Sequence, residues 1–265
     1  MRKSLQAAGV LASVAVAGAV LYGTGAASAD GHAADRHSAE PENIGLLVGE
    51  IDNYYGATQA ADGTWQASAH SPYAKDLARV EARAEKDIRN ATATTRHHGK
   101  KPAIVLDVDD TSLLSFDYER ATNYVYNDAT WNAYVAKANR PAVFGMPELV
   151  AYAKQRGVEV FFLTGLSEPL RAPAVQNLTK AGYHTPLDTA HLFTKDKANP
   201  PAYLADCATA AAWNCTTVQF KEGTRKHLEA SGYDIVGNFG DQQSDLTGGH
   251  ADKAYKLPNP TYYVE

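Results

Sequence analysis

Four apolar residues, Ala103 to Leu106, run directly into three carboxylates within four positions, Asp107, Asp109 and Asp110. Like charges this close repel, so acids crowded at the end of a hydrophobic strand imply a positive partner. A hard divalent cation such as Mg²⁺ fits, because it takes few carboxylates and keeps some of its waters. A phosphate can complete that shell and be attacked by a carboxylate, which gives an acyl phosphate. Three later stretches hold matching polar groups. Thr164-Gly165 follows "VEVFFL", Lys221 follows "TTVQF", and Asp241 and Asp245 lie in "GNFGDQQSD". A hydroxyl and an ammonium can hold the equatorial oxygens of a transferring phosphoryl group as charge spreads over them.

These groups act together only if the fold gathers them. The candidate strands are 103–106, 158–163, 190–193, 217–220 and 234–238, short apolar runs alternating with helical patterns at 146–156, 171–181 and 222–231. Two further helices are expected at 44–54 and from Pro72 to about Arg96. In the second, Tyr73, Leu77, Val80, Ala84 and Ile88 recur three or four apart with charges between them. Apolar strands alternating with helices imply an α/β fold with a parallel sheet covered on both faces. Ligands of such sheets bind at the carboxyl ends of the strands, which is where each of the polar groups is expected.

In that order, "DVDDT", "FFLTG", Lys221 and "GDQQSD" resemble the four motifs of the haloacid dehalogenase (HAD) superfamily. "VLDVDDTSLLSFDYE" and "GYDIVGNFGDQQSDL" are similar to its secreted acid phosphatases, the class B-like and plant vegetative-storage-related subgroup. The resemblance runs from about Tyr73 to the C-terminus, and the ordered set is more specific than any one motif. It implies a Rossmann-like core with a small helical cap, and a Mg²⁺-dependent phosphoric monoester hydrolase acting on small phosphomonoesters. It makes Asp107 the nucleophile and a metal ligand, and Asp109 the general acid and base, whose carbonyl also meets the metal. Thr164, Gly165 and Lys221 would hold the phosphoryl group, Asp241 would bind metal, and Asp245 would be a ligand or its supporting acid. Asp110 is expected outside the direct chemistry. Lys195 in "FTKDK" competes with Lys221, but on a strand expected at the sheet edge.

The stretch 112–145 is the expected cap. It holds Phe116, Tyr118, Tyr124, Tyr126, Trp131, Tyr134 and Phe144, in a chain that is only 9% aromatic. Most of them are expected to pack the cap on the core, and one or two to meet substrate. An EF-hand counted from Asp107 fails, since its sixth and twelfth positions are Ser112 and Tyr118. Export and the Asp-x-Asp-x-Thr spacing count against a phosphate-accepting receiver domain. Phosphotransfer at the same site and a non-catalytic metal-binding or storage protein are the alternatives.

Arg2 and Lys3, an apolar stretch to Leu21 and Ala27-Ser28-Ala29 form an expected export signal cleaved after Ala29. The divisions expected are a signal at 1–29, a leader and helical segment at 30–71, the phosphatase domain at 72–258 and a tail at 259–265. A net charge of −5, more negative once Arg2 and Lys3 are removed, argues against a nucleic-acid partner. No membrane association is expected after cleavage. Composition leaves the oligomeric state open. Cys207 and Cys215, the only cysteines, are expected to form a disulfide outside the cell.

Overall fold

The computed structural model describes residues 41–93 and 99–265; the export signal and its cleavage site lie outside them. Helix α1 (Ile44–Tyr55) begins at Asn43, whose side chain accepts from the Gly45 and Leu46 amides, and ends at Gly56 in the left-handed region, φ 58°. A short hairpin, β1 (Thr58–Gln59) and β2 (Trp65–Gln66), leads to α2 (Pro72–Thr92). Ser71 caps α2 and Pro72 opens it. Its five expected apolar positions are all buried. Positions 94–96 of that expected helix lie outside the described residues.

The chain continues through β3 (Lys101–Leu106), α3 (Phe116–Ala121), α4 (Asp128–Ala136) and α5 (Met146–Gln155). Then come β4 (Glu159–Ser167), α6 (Arg171–Lys180), β5 (Leu192–Lys195) and a hairpin of β6 (Ala208–Thr209) and β7 (Ala212–Trp213). It closes with α7 (Thr217–Ala230), β8 (Tyr233–Gly240), α8 (Gln243–Leu246) and β9 (Ala254–Lys256). Five strands form one parallel sheet in the order β5-β4-β3-β8-β9, with β3 at its centre. Side chains alternate across a strand, so β3 and β4 feed two cores. Ile104, Leu106, Val160 and Phe162 pack with Leu77 of α2 and Leu149 of α5. Ala103, Val105, Phe161 and Leu163 pack on the other face with Phe220 and Leu228 of α7.

One expected strand is a helix. Thr217–Phe220 is the first turn of α7, opened by a capping box in which Thr216 accepts from the Gln219 amide and Gln219 reaches back to Thr216. Thr217, Val218 and Phe220 favour strands intrinsically, but the reciprocal cap and burial of Phe220 outweigh that preference. Lys221 therefore projects from a helix. Two other strands shift: β4 runs on to Ser167 and so includes Thr164 and Gly165, and β5 begins at Leu192. The strand β9, which pairs with β8, had no signal strong enough to read.

The insertion between β3 and α5 is helical. Its ends are clipped by Leu114 N–H donating to Pro141 O (2.9 Å) and Val143 N–H to Ser112 O (3.0 Å). Phe116 stacks on Tyr55 at 4.2 Å, while Tyr118, Trp131 and Tyr134 cluster within the insertion. Cys207 and Cys215 are bonded, with Cα atoms 4.8 Å apart, and the bridge spans the β6–β7 hairpin. Among the described residues no helix is long and apolar enough to cross a membrane.

Candidate active site

Of the four acids expected at the cation, the side chains of three converge. Carboxylate oxygens of Asp107, Asp241 and Asp245 lie within 4.8 Å of one another, and all three residues are buried. Asp107 follows β3 directly, and its N–H donates to Phe239 O on β8 (2.9 Å). Asp241 follows β8, and the Thr111 hydroxyl donates to it (3.1 Å). Asp245 lies on α8, folded back so closely that a Cβ on Gly240 would stand 2.2 Å from its own Cβ. Only glycine permits that approach.

Lys221 joins the cluster from α7. Its ammonium bonds both Asp107 and Asp245, with the lysine side chain 4% exposed. Burial pushes the Lys221 ammonium down, but the two carboxylates facing it prevail and hold it above its usual value. Asp241 is pushed up to about 7 by burial, then by Asp245 and Asp110. One ammonium, bonded to two of them, thus stands against three buried acids, and a hard dication would offset the remaining charge. The donor set, all carboxylate oxygen, suits Mg²⁺.

Asp109 stands apart from this cluster. The buried Arg140 guanidinium, supplied by the insertion, donates to one of its oxygens at 2.6 Å, and the Thr164 hydroxyl donates to the other at 3.2 Å. Thr164 is fully buried and does not line the pocket, whereas Gly165 does. Asp110 turns away in a left-handed conformation, φ 54°. It accepts from the Ser115 amide (2.8 Å), the Ser115 hydroxyl and the Tyr262 hydroxyl, so it braces the loop. Lys195, at the end of edge strand β5, also reaches the pocket wall, half-buried beside Thr217 (3.4 Å).

Several residues of this site carry no local signal. Arg140 is supplied by the insertion, and its backbone is clamped by both ends of the Asn177 amide (3.0 and 2.7 Å). Arg225, one turn beyond Lys221, donates to the carbonyls of Asp245, Thr247 and Gly249 and so holds the α8 loop. The segment expected as a tail returns to the pocket. Asn259 donates to Asp241 (2.8 Å), and Tyr262, Tyr263 and Val264 form part of the wall. Thr111 alone had a sequence cue, its place in "DVDDT".

The pocket over these groups has a volume of about 690 Å³ and is walled by the insertion, the β5 loop and the C-terminal segment. Of the seven insertion aromatics, Tyr124, Tyr126 and Trp131 line it. Phe116 and Phe144 pack against Tyr55 and Tyr73 instead.

Residues 55–265 match the family model described as HAD superfamily, subfamily IIIB (acid phosphatase). The chain is 35% identical over 173 residues to the stem 28 kDa glycoprotein of Glycine max, covering 62% of this chain and 61% of that one. It is 32% identical over 164 residues to acid phosphatase 1 of Solanum lycopersicum, covering 60% and 58%. Against vegetative storage protein 1 of Arabidopsis thaliana it is 29% identical over 164 residues, covering 60% and 54%. The chain thus spans between half and two thirds of the length of these relatives. Among solved structures, the class C acid phosphatase of Bacillus anthracis shares the fold, with a TM-score of 0.52 at 20% identity over 70% of this chain and 78% of that one. Because the family match takes in every element from the end of α1 to Glu265, and so the whole sheet and all walls of the pocket, the chain belongs to the HAD superfamily, subfamily IIIB, the acid phosphatase subfamily.

Proposed function

We propose that the protein is an exported, Mg²⁺-dependent phosphomonoesterase that works through an aspartyl-phosphate intermediate. The observation that carries this reading is the convergence of Asp107, Asp241 and Asp245 on one point, with Lys221 among them and Asp109 held separately. The side chains of Asp107, Asp241 and Asp245, with the Asp109 carbonyl, would hold the ion. When bound, it supplies positive charge that offsets the buried acids and the substrate phosphate.

Asp107 attacks phosphorus through a carboxylate oxygen, forming a P–O bond as the bond to the leaving oxygen breaks. Asp109, two residues on, gives the leaving oxygen a proton and later takes one from the attacking water. Arg140 and Thr164 orient that carboxyl from opposite oxygens. Lys221 stabilises charge on the phosphoryl oxygens, and the Gly165 backbone lines their pocket. Thr164 supports the site through Asp109, a less direct part than the expected contact with phosphate. Export is consistent with the Arg2-Lys3 start, the disulfide and the stem glycoprotein relatives.

The relatives named vegetative storage proteins favour a second reading, a storage protein without turnover. One assay separates the two. Purified protein with Mg²⁺ should release phosphate steadily from p-nitrophenyl phosphate, a chelator should stop it, and added Mg²⁺ should restore it. No release at any pH between 4 and 8 would reject the phosphatase reading and leave storage.

A further inference from the structure

The insertion wall of the pocket carries a carboxyl that the proposed chemistry does not use. Glu119, on α3, lines the pocket and is 4% exposed, yet among the described residues its carboxyl has no hydrogen-bond or ion-pair partner. A buried carboxyl without a partner is costly, and a protein that keeps one usually has something to place against it. Burial, and after it the charge of Asp110, pushes this carboxyl up to about 8.

Neither arginine of the insertion bonds Glu119, although Nε and one Nη of Arg140 have no hydrogen-bond partner among the described residues. Arg120 is bidentate to Asp52 (2.8 and 3.1 Å), and Arg140 holds Asp109. The lysines of the pocket, Lys195, Lys197 and Lys221, come from the β5 end and α7, where the phosphoryl group is expected. Beside Glu119 the insertion adds aromatic rings, Tyr124 and Tyr126, and at the mouth Asp128, which accepts from the Tyr126 hydroxyl. The pocket thus has its lysines and the Asp107–Asp241–Asp245 cluster at its phosphate end, and Glu119 and Asp128 with aromatic rings but no lysine or arginine of the lining at the other.

We propose that Glu119 is a specificity-determining residue that receives a cationic group on the leaving alcohol, so that the preferred substrates are phosphomonoesters of amino alcohols. The inference rests on the phosphomonoesterase reading above. A bound primary or quaternary ammonium favours the ionised form of Glu119, so binding releases its proton and pairs the two charges, and the tyrosine rings favour a cation over a neutral group of the same shape. A neutral alcohol leaves the carboxyl unpaired.

The test compares kcat/KM for choline phosphate with that for its uncharged isostere, 3,3-dimethylbutyl phosphate, using the full chain with Mg²⁺ at pH 7.5. The wild type should prefer choline phosphate at least tenfold. Glu119→Gln, equal in shape but uncharged, should bring the ratio towards one, mainly by raising KM for choline phosphate. Product inhibition gives a second measurement on the wild type alone: choline should inhibit, and 3,3-dimethylbutanol should not. A wild-type ratio near one, a ratio unchanged in Glu119→Gln, or a stronger preference for sugar phosphates that Glu119→Gln removes would each overturn the proposal. p-Nitrophenyl phosphate serves as the reference. If it is not hydrolysed, the phosphatase reading fails; if it is hydrolysed while the ratio is one, only the amino-alcohol inference fails.

Discussion

Asp107 and Asp109 are two positions apart in an extended stretch, yet the fold gives them different partners. Asp107 faces Lys221 and the other acids, whereas Asp109 lies between Arg140 and Thr164. That separation allows one to attack and the other to transfer a proton. Asp107→Asn should therefore abolish turnover and any phospho-enzyme, measured by rapid-quench mass analysis. An adduct on a serine or histidine would contradict the assignment. Asp109→Asn should slow hydrolysis of an alkyl phosphate by about 10²–10⁴-fold, the usual worth of general acid–base catalysis. The loss should be smaller for p-nitrophenyl phosphate, whose leaving group needs no proton. Glu119 supports a separate prediction on stability. Its folded pKa, about 8, lies above the ordinary 4.5, so the native state holds an extra proton between those values. The stability this group contributes is thus present at low pH and is lost as pH rises towards 8. The loss is at most about 1.4 kcal/mol for each pH unit crossed between the two values. Relative to wild type, Glu119→Gln should gain Tm as pH is raised from 5 to 9; a difference constant across that range would show that Glu119 titrates normally.

At the scale of elements, α7 positions most of the site. Its capping box sets where the helix starts, and one turn separates Lys221, on the carboxylates, from Arg225, on the carbonyls of the α8 loop. Side chains four apart share a face of a helix, so a single rigid element serves both the acids and the loop that carries Asp245. The Cys207–Cys215 bridge ends one residue before the Thr216 cap and fixes how the chain enters that helix. Closing so short a loop restricts the unfolded chain by about 2–3 kcal/mol in the entropic account. Cys207→Ser with Cys215→Ser should lower Tm by several degrees while phosphate release at 25 °C persists. Thiol titration of the denatured, unreduced protein should find none, and two titratable thiols in exported material would reject the bridge.

The whole molecule closes the site through its last residues. Asn259 reaches back to Asp241, Tyr262 to Asp110, and Gln242 accepts from the Val264 amide (3.0 Å). Groups that orient ligands in this way commonly change metal affinity by 10- to 100-fold when removed. Because a cation bound only to the native state stabilises it by about 2.7 kcal/mol at one hundred times its Kd, Mg²⁺ should raise Tm. A chain ending at Leu257 should need at least tenfold more Mg²⁺ for the same shift, and Asp241→Asn should show almost none. An equal Mg²⁺ response in all three proteins would place the ion elsewhere.

The core of this arrangement was legible because its signals are local. An apolar run followed at once by acids marks a strand end wherever the strand lies, so Asp107, Asp109, Asp241 and Asp245 could be named, and the alternation of strands with helices implied that they meet. The Thr217–Phe220 stretch misled because β-branched and aromatic residues favour strands, while the cap that decided for helix is a pairing of two side chains. What the chain could not disclose alone depends on distance along it. Arg140 finds Asp109 across 31 residues, Thr111 finds Asp241 across 130, and Glu119 is buried with no partner among the described residues only because the insertion folds over the sheet. The order of residues along the chain determined that acids, a hydroxyl and an ammonium were present in sequence, with Asp107 and Asp241 directly after strands. Tertiary packing decided which of them are buried, which are paired, and which carboxyl is left facing the pocket, because desolvation and pairing arise only where distant segments exclude water together.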